Sequence, residues 1–436
     1  MNRRKFIRNT AIAGTAGVVL PYILPSGRLF AASGNQLAQH VVFVLFAGGV
    51  RNIESIEKSR GNLMPSILSG NEPITMPMGG ANGITVLPMP SSAPLQTKGT
   101  LFKGFKYAQG PTGHFNGHST AMTGVYTLQD LNIKQPPKFP TLFEYYRKHT
   151  SPEPSAKGCW WVSNSLGPYP SLNYSSYPGY GAYYGANYIQ PATLISETGL
   201  TALSNPKQFE TNSENKIAEM RYHFDQVFQK NAANLETEVE NPKSDYAQIQ
   251  NFIKQELLNA QAGQYNNFWG LNQQQLNDDI RNVRFAEKII QQFQPEMLVV
   301  NMQGVDICHV NYTQYCNNLM KADYAVGKLW DSIQNTPGMA NNTIMIVAPD
   351  HGRNLSPNSV IDNNGFLAID HTSDNTSREI FCLIAGPQGV VKQNQVITQN
   401  VGESIDIVPT INRILGYHDS VNSGLLQGRF LNEAFV

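Results

Sequence analysis

Thr343-Ile344-Met345-Ile346-Val347-Ala348 runs directly into Pro349-Asp350-His351-Gly352. A short, almost wholly apolar run rich in β-branched residues suits a strand buried on both faces, as in a parallel sheet covered by helices. The same layout recurs in Val41–Phe46 before Ala47-Gly48-Gly49, Met297–Met302 before Gln303-Gly304-Val305-Asp306, and Ile380–Ile384 before Ala385-Gly386-Pro387. Helical patterns lie between these runs. In Tyr312–Ile333, Leu319, Ala322, Val326, Leu329, Trp330 and Ile333 recur at helical spacing. The alternation predicts an α/β fold, a three-layer sandwich with a mostly parallel central sheet flanked by helices. Ligands of such sheets sit beyond the carboxyl ends of the strands. Here those ends carry Asp306-Ile307-Cys308-His309 and Asp350-His351.

Five of the nine histidines fall in compact contexts. His114 and His118 lie in Gly-His-Phe-Asn-Gly-His-Ser-Thr, His309 in Asp-Ile-Cys-His, and His351 and His371 each follow an aspartate. Carboxylates with neutral imidazoles suit zinc or a similar divalent ion. A lone histidine is more often a packed or surface residue than a ligand. Asp350-His351 after a clean strand, with Asp306 and His309 after another, reverses that expectation, and Asp370-His371 completes the set.

Several of these segments, in this order, resemble the alkaline phosphatase superfamily, which includes sulfatases, nucleotide pyrophosphatases and phosphomutases. They are strand 41–46, Met122-Thr123-Gly124-Val125-Tyr126, Val299–Asp306 with His309, Ala322–Leu329, Ile346–Gly352, and Asp406–Ile411 before Leu415-Gly416. The resemblance covers 38–130 and 295–420 and is nearest to a twin-arginine-exported, sulfatase-like branch. It implies two divalent ions (zinc, or manganese or calcium), one on Asp306, His309 and His371, the other on Asp350 and His351. Such a pair would clamp an oxygen of a phosphate or sulfate ester in a small-molecule or glycan substrate. A hydroxyl at a helix N-terminus would then attack, its pKa lowered by the metal.

The chain departs from the superfamily pattern in informative places. The first strand is followed by Ala47-Gly48-Gly49-Val50-Arg51-Asn52, so only Asn52 and Glu54 offer oxygen ligands where an aspartate is usual. Counting back from Thr123-Gly124, His114 stands at the usual nucleophile position, with Thr112, Ser119 and Thr120 as the nearby hydroxyls. Asp306 to His309 is one residue shorter than usual. The Cys-x-Pro-Ser-Arg signature, whose cysteine becomes formylglycine, is absent, and Cys159 lies in Gly-Cys-Trp-Trp. Three roles are open to His114 and His118: replacing a missing ligand, acting as nucleophile or acid/base, or packing within a loop. Arg51 and Arg353 are candidates for oxyanion contact, against a role in ordinary ion pairs. Cys308 is a soft ligand or a buried thiol. Two function classes follow: a metal-dependent ester hydrolase, or a non-catalytic metal- or ligand-binding protein of the same fold.

The middle, 131–294, reads as a large irregular and helical insertion, a cap or lid over a core of 38–130 and 295–436. Seven tyrosines fall between Tyr169 and Tyr188, suited either to stacking on a sugar or nucleobase or to local loop packing. Ile217, Met220, Phe224 and Phe228 form one helical stripe.

Residues 1–32 read as an export signal. Arg3, Arg4 and Phe6 open it, an apolar stretch from Thr10 to Leu24 follows, and Ala31-Ala32-Ser33 closes it. The apolar stretch is broken by Pro21 and is too short to span a bilayer, which takes about 20 apolar residues. Leu29 and Phe30 occupy positions that prefer small residues, so a retained N-terminal anchor is the alternative to cleavage. The expected partner is the twin-arginine export machinery, and the expected location is the periplasm or cell surface, with no transmembrane span in the mature chain.

Lys+Arg and Asp+Glu both number 32 in 436 residues, and a formal net charge of zero disfavours nucleic acid, whose phosphates need a clustered basic surface. Five of those basic residues, Arg3, Arg4, Lys5, Arg8 and Arg28, lie in the signal. The mature chain is therefore acidic. With 41% apolar residues it has enough to bury a large core. Four cysteines without C-x-x-C spacing form neither a disulfide scaffold nor a zinc ribbon.

Overall fold

The apolar runs form adjacent strands of one sheet. In the computed structural model, which describes residues 36–129, 136–150, 156–164, 172–195, 243–372 and 374–436, the strands are β1 (His40–Phe46), β2 (Gly99–Lys106), β3 (Cys159–Val162), β4 (Asn187–Ile189), β5 (Met297–Met302), β6 (Thr343–Pro349), β7 (Glu379–Ala385) and β8 (Gln395–Ile397). Their order is β4-β3-β5-β1-β6-β7-β2-β8. The first five in that order run parallel. β7 is antiparallel to both its neighbours, and β8 is parallel to β2. Every residue of β1, β5 and β6 is buried, so both faces of the central strands are covered, as continuous apolar runs require.

The described helices that matter here are α1 (His114–Thr123), α2 (Leu142–His149), α3 (Lys243–Gln261), α4 (Asp278–Phe293), α5 (Tyr312–Asn335) and α6 (Ile407–Ile414). All six apolar positions expected along α5 are buried, and its Asn311 cap accepts from the Gln314 amide. α4 packs against α5 and against β3 and β5, while α6 packs against α1 and α2. The fold is α/β with a mostly parallel sheet between helical layers. No described helix is long and apolar enough to cross a membrane.

Two expectations differ from what is found. The run at 380–384 is a sheet strand, but it runs against its neighbours. An unbroken apolar run reports burial on both faces and is silent about direction. The limits of the core also move. β3 and β4 lie inside 131–294 yet continue the sheet, with Cys159 paired opposite Met297, and α4 belongs to the helical layer.

The described tyrosines of that stretch pack locally. Tyr188 lies on β4 with its ring 4.6 Å from that of Trp161, and the Lys148 ammonium sits 3.9 Å over the Tyr180 ring. Beneath them, buried Glu144 accepts from the amides of Thr141, Ser175 and Gly181. Burial pushes its pKa up to about 7 against those donors. Tyr169, the stripe from Ile217 to Phe228 and the signal at 1–32 lie outside the described residues.

Register places the site. Phe46 lies opposite both Met302 and Pro349. The chain therefore leaves β1, β5 and β6 at one level, into Ala47-Gly48-Gly49, Gln303–His309 and Asp350-His351.

Candidate metal centre

Asp350, the first residue beyond β6, is wholly buried. Its Oδ1 accepts three backbone N–H groups: Gly48 at 3.2 Å, Gly49 at 2.9 Å and His351 at 3.0 Å. Its Oδ2 has no hydrogen-bond partner among the described residues, and the nearest ring nitrogens, on His114, His118 and His351, stand 3.4–3.5 Å away. Burial opposes the charge of this carboxylate, but the surrounding imidazoles hold it below the usual carboxylate range. A buried carboxylate with one oxygen tied down and the other bare faces a place for a cation.

The histidines converge on the same place with their tautomers fixed. A carbonyl oxygen only accepts, so a ring nitrogen bonded to one carries the proton. His351 Nδ1 donates to the Gly352 carbonyl at 2.7 Å, and His371 Nδ1 to the Thr112 carbonyl at 2.6 Å. His309 Nδ1 donates to the Asp370 carboxylate at 2.6 Å. Each ring is left with an Nε2 lone pair aimed inward. Outer partners of this kind orient metal-ligating imidazoles.

His114, the first residue of α1, stands between them. Its Nε2 lies 2.8 Å from Asp306 Oδ1 and 3.1 Å from His371 Nε2, and its Nδ1 lies 3.0 Å from His351 Nε2. Two sets of potential ligand atoms result, His114, Asp306, His309 and His371 in one and His114, Asp350 and His351 in the other, each within 4.8 Å. Burial works against a charge on His114, but Asp306 and Asp350 outweigh it and raise its pKa to about 9. The same contacts with His114 and His309 hold Asp306 well below the carboxylate range despite its burial. Burial, aided by the neighbouring cations, pushes His371 down to about 4, and burial also lowers His351. Imidazole nitrogens and carboxylate oxygens gathered this closely, beside the one Asp350 oxygen that has no hydrogen-bond partner among the described residues, fit a divalent cation. The imidazole and carboxylate donors suit zinc or manganese better than calcium, which takes oxygen ligands.

Close backbone approach makes this possible. Gly49 has φ of +78°, and a Cβ there would lie 2.6 Å from the His351 ring; a Cβ on Gly48 would lie 2.8 Å from the Asp306 nitrogen. The Gly-Gly after β1, read in the sequence as the place of a missing carboxylate, instead supplies the amides that hold Asp350.

Other expected site residues sit differently. Thr112 is clamped to His371, its hydroxyl donating to the His371 carbonyl, so it positions that ring. His118 is wholly buried one turn along α1, its Nδ1 bonded to the His114 carbonyl at 2.6 Å. The same Nδ1 stands 3.4 Å from Asp350 Oδ2. Arg51 is no oxyanion contact, because it grips Glu54 with Nε and Nη2 and the carbonyls of Asn354 and Leu355 with Nη1. Arg353 is buried among the carbonyls of Gly48, Gly49, Val305 and Ile369 and reaches Asp306 at 3.3 Å. Asn52 is buried, and its Oδ1 has no partner among the described residues. Cys308 is a buried thiol whose pKa burial raises to about 12. Cys159 begins β3, also buried.

The family model for sulfatases matches residues 61–417. No curated protein sequence matches the chain. Among similar solved structures, a protein of the alkaline phosphatase superfamily from Vibrio parahaemolyticus is 11% identical, with a TM-score of 0.47 over 99% of this chain and 79% of its own. The alkaline phosphatase PafA is 11% identical at TM-score 0.47, over 92% of this chain and 99% of its own. A phosphonate monoester hydrolase from Silicibacter pomeroyi is 13% identical at TM-score 0.43, over 90% and 76%.

Proposed function

The chain belongs to the sulfatase family, and on that premise we propose that it is an exported, metal-dependent hydrolase of phosphate or sulfate esters in small-molecule or glycan substrates. The observation that carries this reading is the convergence of imidazole nitrogens and carboxylate oxygens, within 4.8 Å of one another in each of two sets, beyond adjacent strand ends. Asp306, His309 and His371 would hold one divalent ion, and Asp350 with His351 a second, with His114 between them. Bound there, such ions would polarise the ester centre and stabilise the departing oxygen.

The protein's own groups prepare that site. The Gly48 and Gly49 amides hold Asp350 Oδ1 and so aim its carboxylate. Asp370 and Thr112 fix the rings of His309 and His371. Arg353 ties the loops after β1 and β5 together and steadies Asp306. The Thr112 hydroxyl is engaged by the His371 carbonyl.

That engagement of Thr112 favours a second reading, a non-catalytic metal- or ligand-binding protein of the same fold. A panel of aryl phosphates, phosphodiesters and aryl sulfates, assayed with zinc or manganese and again after chelation, separates the two. The hydrolase reading expects turnover that chelation removes and metal restores, lost in Asp350→Asn and His351→Ala. An inert wild type across the panel with metal bound establishes the binding protein.

A further inference from the structure

We propose that His114 is a two-sided ligand, its Nδ1 serving the ion on Asp350 and His351 and its Nε2 the ion on Asp306, His309 and His371; this rests on the metal-binding reading above. Imidazole nitrogens sit on different edges of a rigid ring, with lone pairs that diverge, so one ring cannot offer both to one ion. In His309, His351 and His371 the Nδ1 is taken by a carboxylate or carbonyl, leaving one nitrogen each. In His114 both nitrogens face potential ligand atoms, Nδ1 toward His351 Nε2 at 3.0 Å and Asp350 Oδ2 at 3.5 Å, Nε2 toward Asp306 Oδ1 at 2.8 Å and His371 Nε2 at 3.1 Å. It is the residue shared by both ligand sets.

The scaffold fixes the ring between the sets. His114 opens α1, and its carbonyl takes the His118 Nδ1 proton. Gly117, three residues on, lets α1 press against the end of β6, since a Cβ there would lie 2.7 Å from the Asp350 carbonyl oxygen. That approach brings His114 alongside Asp350.

Serving two ions would require both ring nitrogens to be free of protons, an imidazolate, with every N–H proton of the ring passing to solvent as the ions bind. Two divalent ions then face three negative ligands, Asp306, Asp350 and His114, and the centre keeps a net positive charge that suits an anionic ester. With both nitrogens committed, His114 has no lone pair for attack.

The test uses the folded, full-length wild type loaded with copper(II), metal content measured alongside electron paramagnetic resonance. Two ions per chain with a resonance far below the copper content, from magnetic coupling through the shared ring, is the expected result. Two ions whose resonance accounts for all the copper, or a limit of one ion per chain, overturns it. In zinc titrations of variants that keep the wild-type circular dichroism, His114→Ala weakens both ions by more than about 10-fold, the lower bound for losing even an outer partner. His309→Ala weakens one ion and His351→Ala the other. A His114→Ala protein that loses only one ion also overturns the inference, and the copper spectrum stands without any variant. Coupled ions with no ester turnover refute the hydrolase alone; turnover with uncoupled ions refutes the shared ligand alone.

Discussion

Asp370 touches no ligand position, yet it sets the ring of His309 through a 2.6 Å bond to Nδ1. Asp370→Ala should leave the fold intact and cost about 10- to 100-fold in affinity on the Asp306 side, read by competition with a chromophoric chelator; unchanged affinity would show that the ring is held otherwise. Arg353→Met leaves four backbone carbonyls without their buried guanidinium. An expected loss of about 3–5 kcal/mol is measurable by urea denaturation, and a loss under about 1 kcal/mol would contradict the bonding described. At this scale the sequence made most of the site legible. Asp306, His309, Asp350, His351 and His371 were marked by strand ends and Asp-His pairs, and His114 by its distance from Thr123-Gly124. Gly48 and Gly49 were misread because a backbone amide acting on a carboxylate has no residue type to betray it. For Arg51 and Arg353 the choice between oxyanion contact and an ordinary ion pair stayed open in the sequence because their partners, apart from Glu54, come from distant loops.

Elements bring these residues together, and the α1 approach is the most constrained. Gly117→Ala should raise intrinsic helix propensity yet destabilise the protein by about 1–3 kcal/mol, since the methyl group must displace α1 or the Asp350 backbone. The midpoint of urea denaturation reads this, and a stabilised Gly117→Ala protein would mean that α1 is loosely held. The central strands were plain in the sequence because continuous Val, Ile, Leu and Phe leave few alternatives. β7 was found but not its direction, which pairing decides and composition does not. β3 and β4 were missed: three- and four-residue strands within Gly-, Pro- and Tyr-rich sequence have no period to read, and only the edge of β5 makes them part of the sheet.

At the scale of the whole molecule, charge and acid response follow from a few groups. His40 at the start of β1 is wholly buried, and burial lowers its pKa from 6.5 to about 4 against one bond to the Pro295 carbonyl. The unfolded chain binds this proton more readily, so its contribution is fully present above pH 6.5 and is lost as pH falls toward 4. The loss is on the order of 3 kcal/mol, and His40→Gln should flatten that part of the stability–pH curve; an unaltered curve would place the acid lability elsewhere. Export is argued from Arg3 and Arg4: changing both to Lys should leave the precursor in the cytoplasm, whereas undiminished export would refute the twin-arginine route. The central proposal is a pair of divalent ions beyond the ends of β1, β5 and β6. The most direct test is the metal content of wild-type protein purified with zinc or manganese supplied, beside Asp350→Asn and Asp306→Asn. Two ions per folded wild-type chain, with one lost in each variant, is the predicted result, and a folded chain that retains no metal would contradict it.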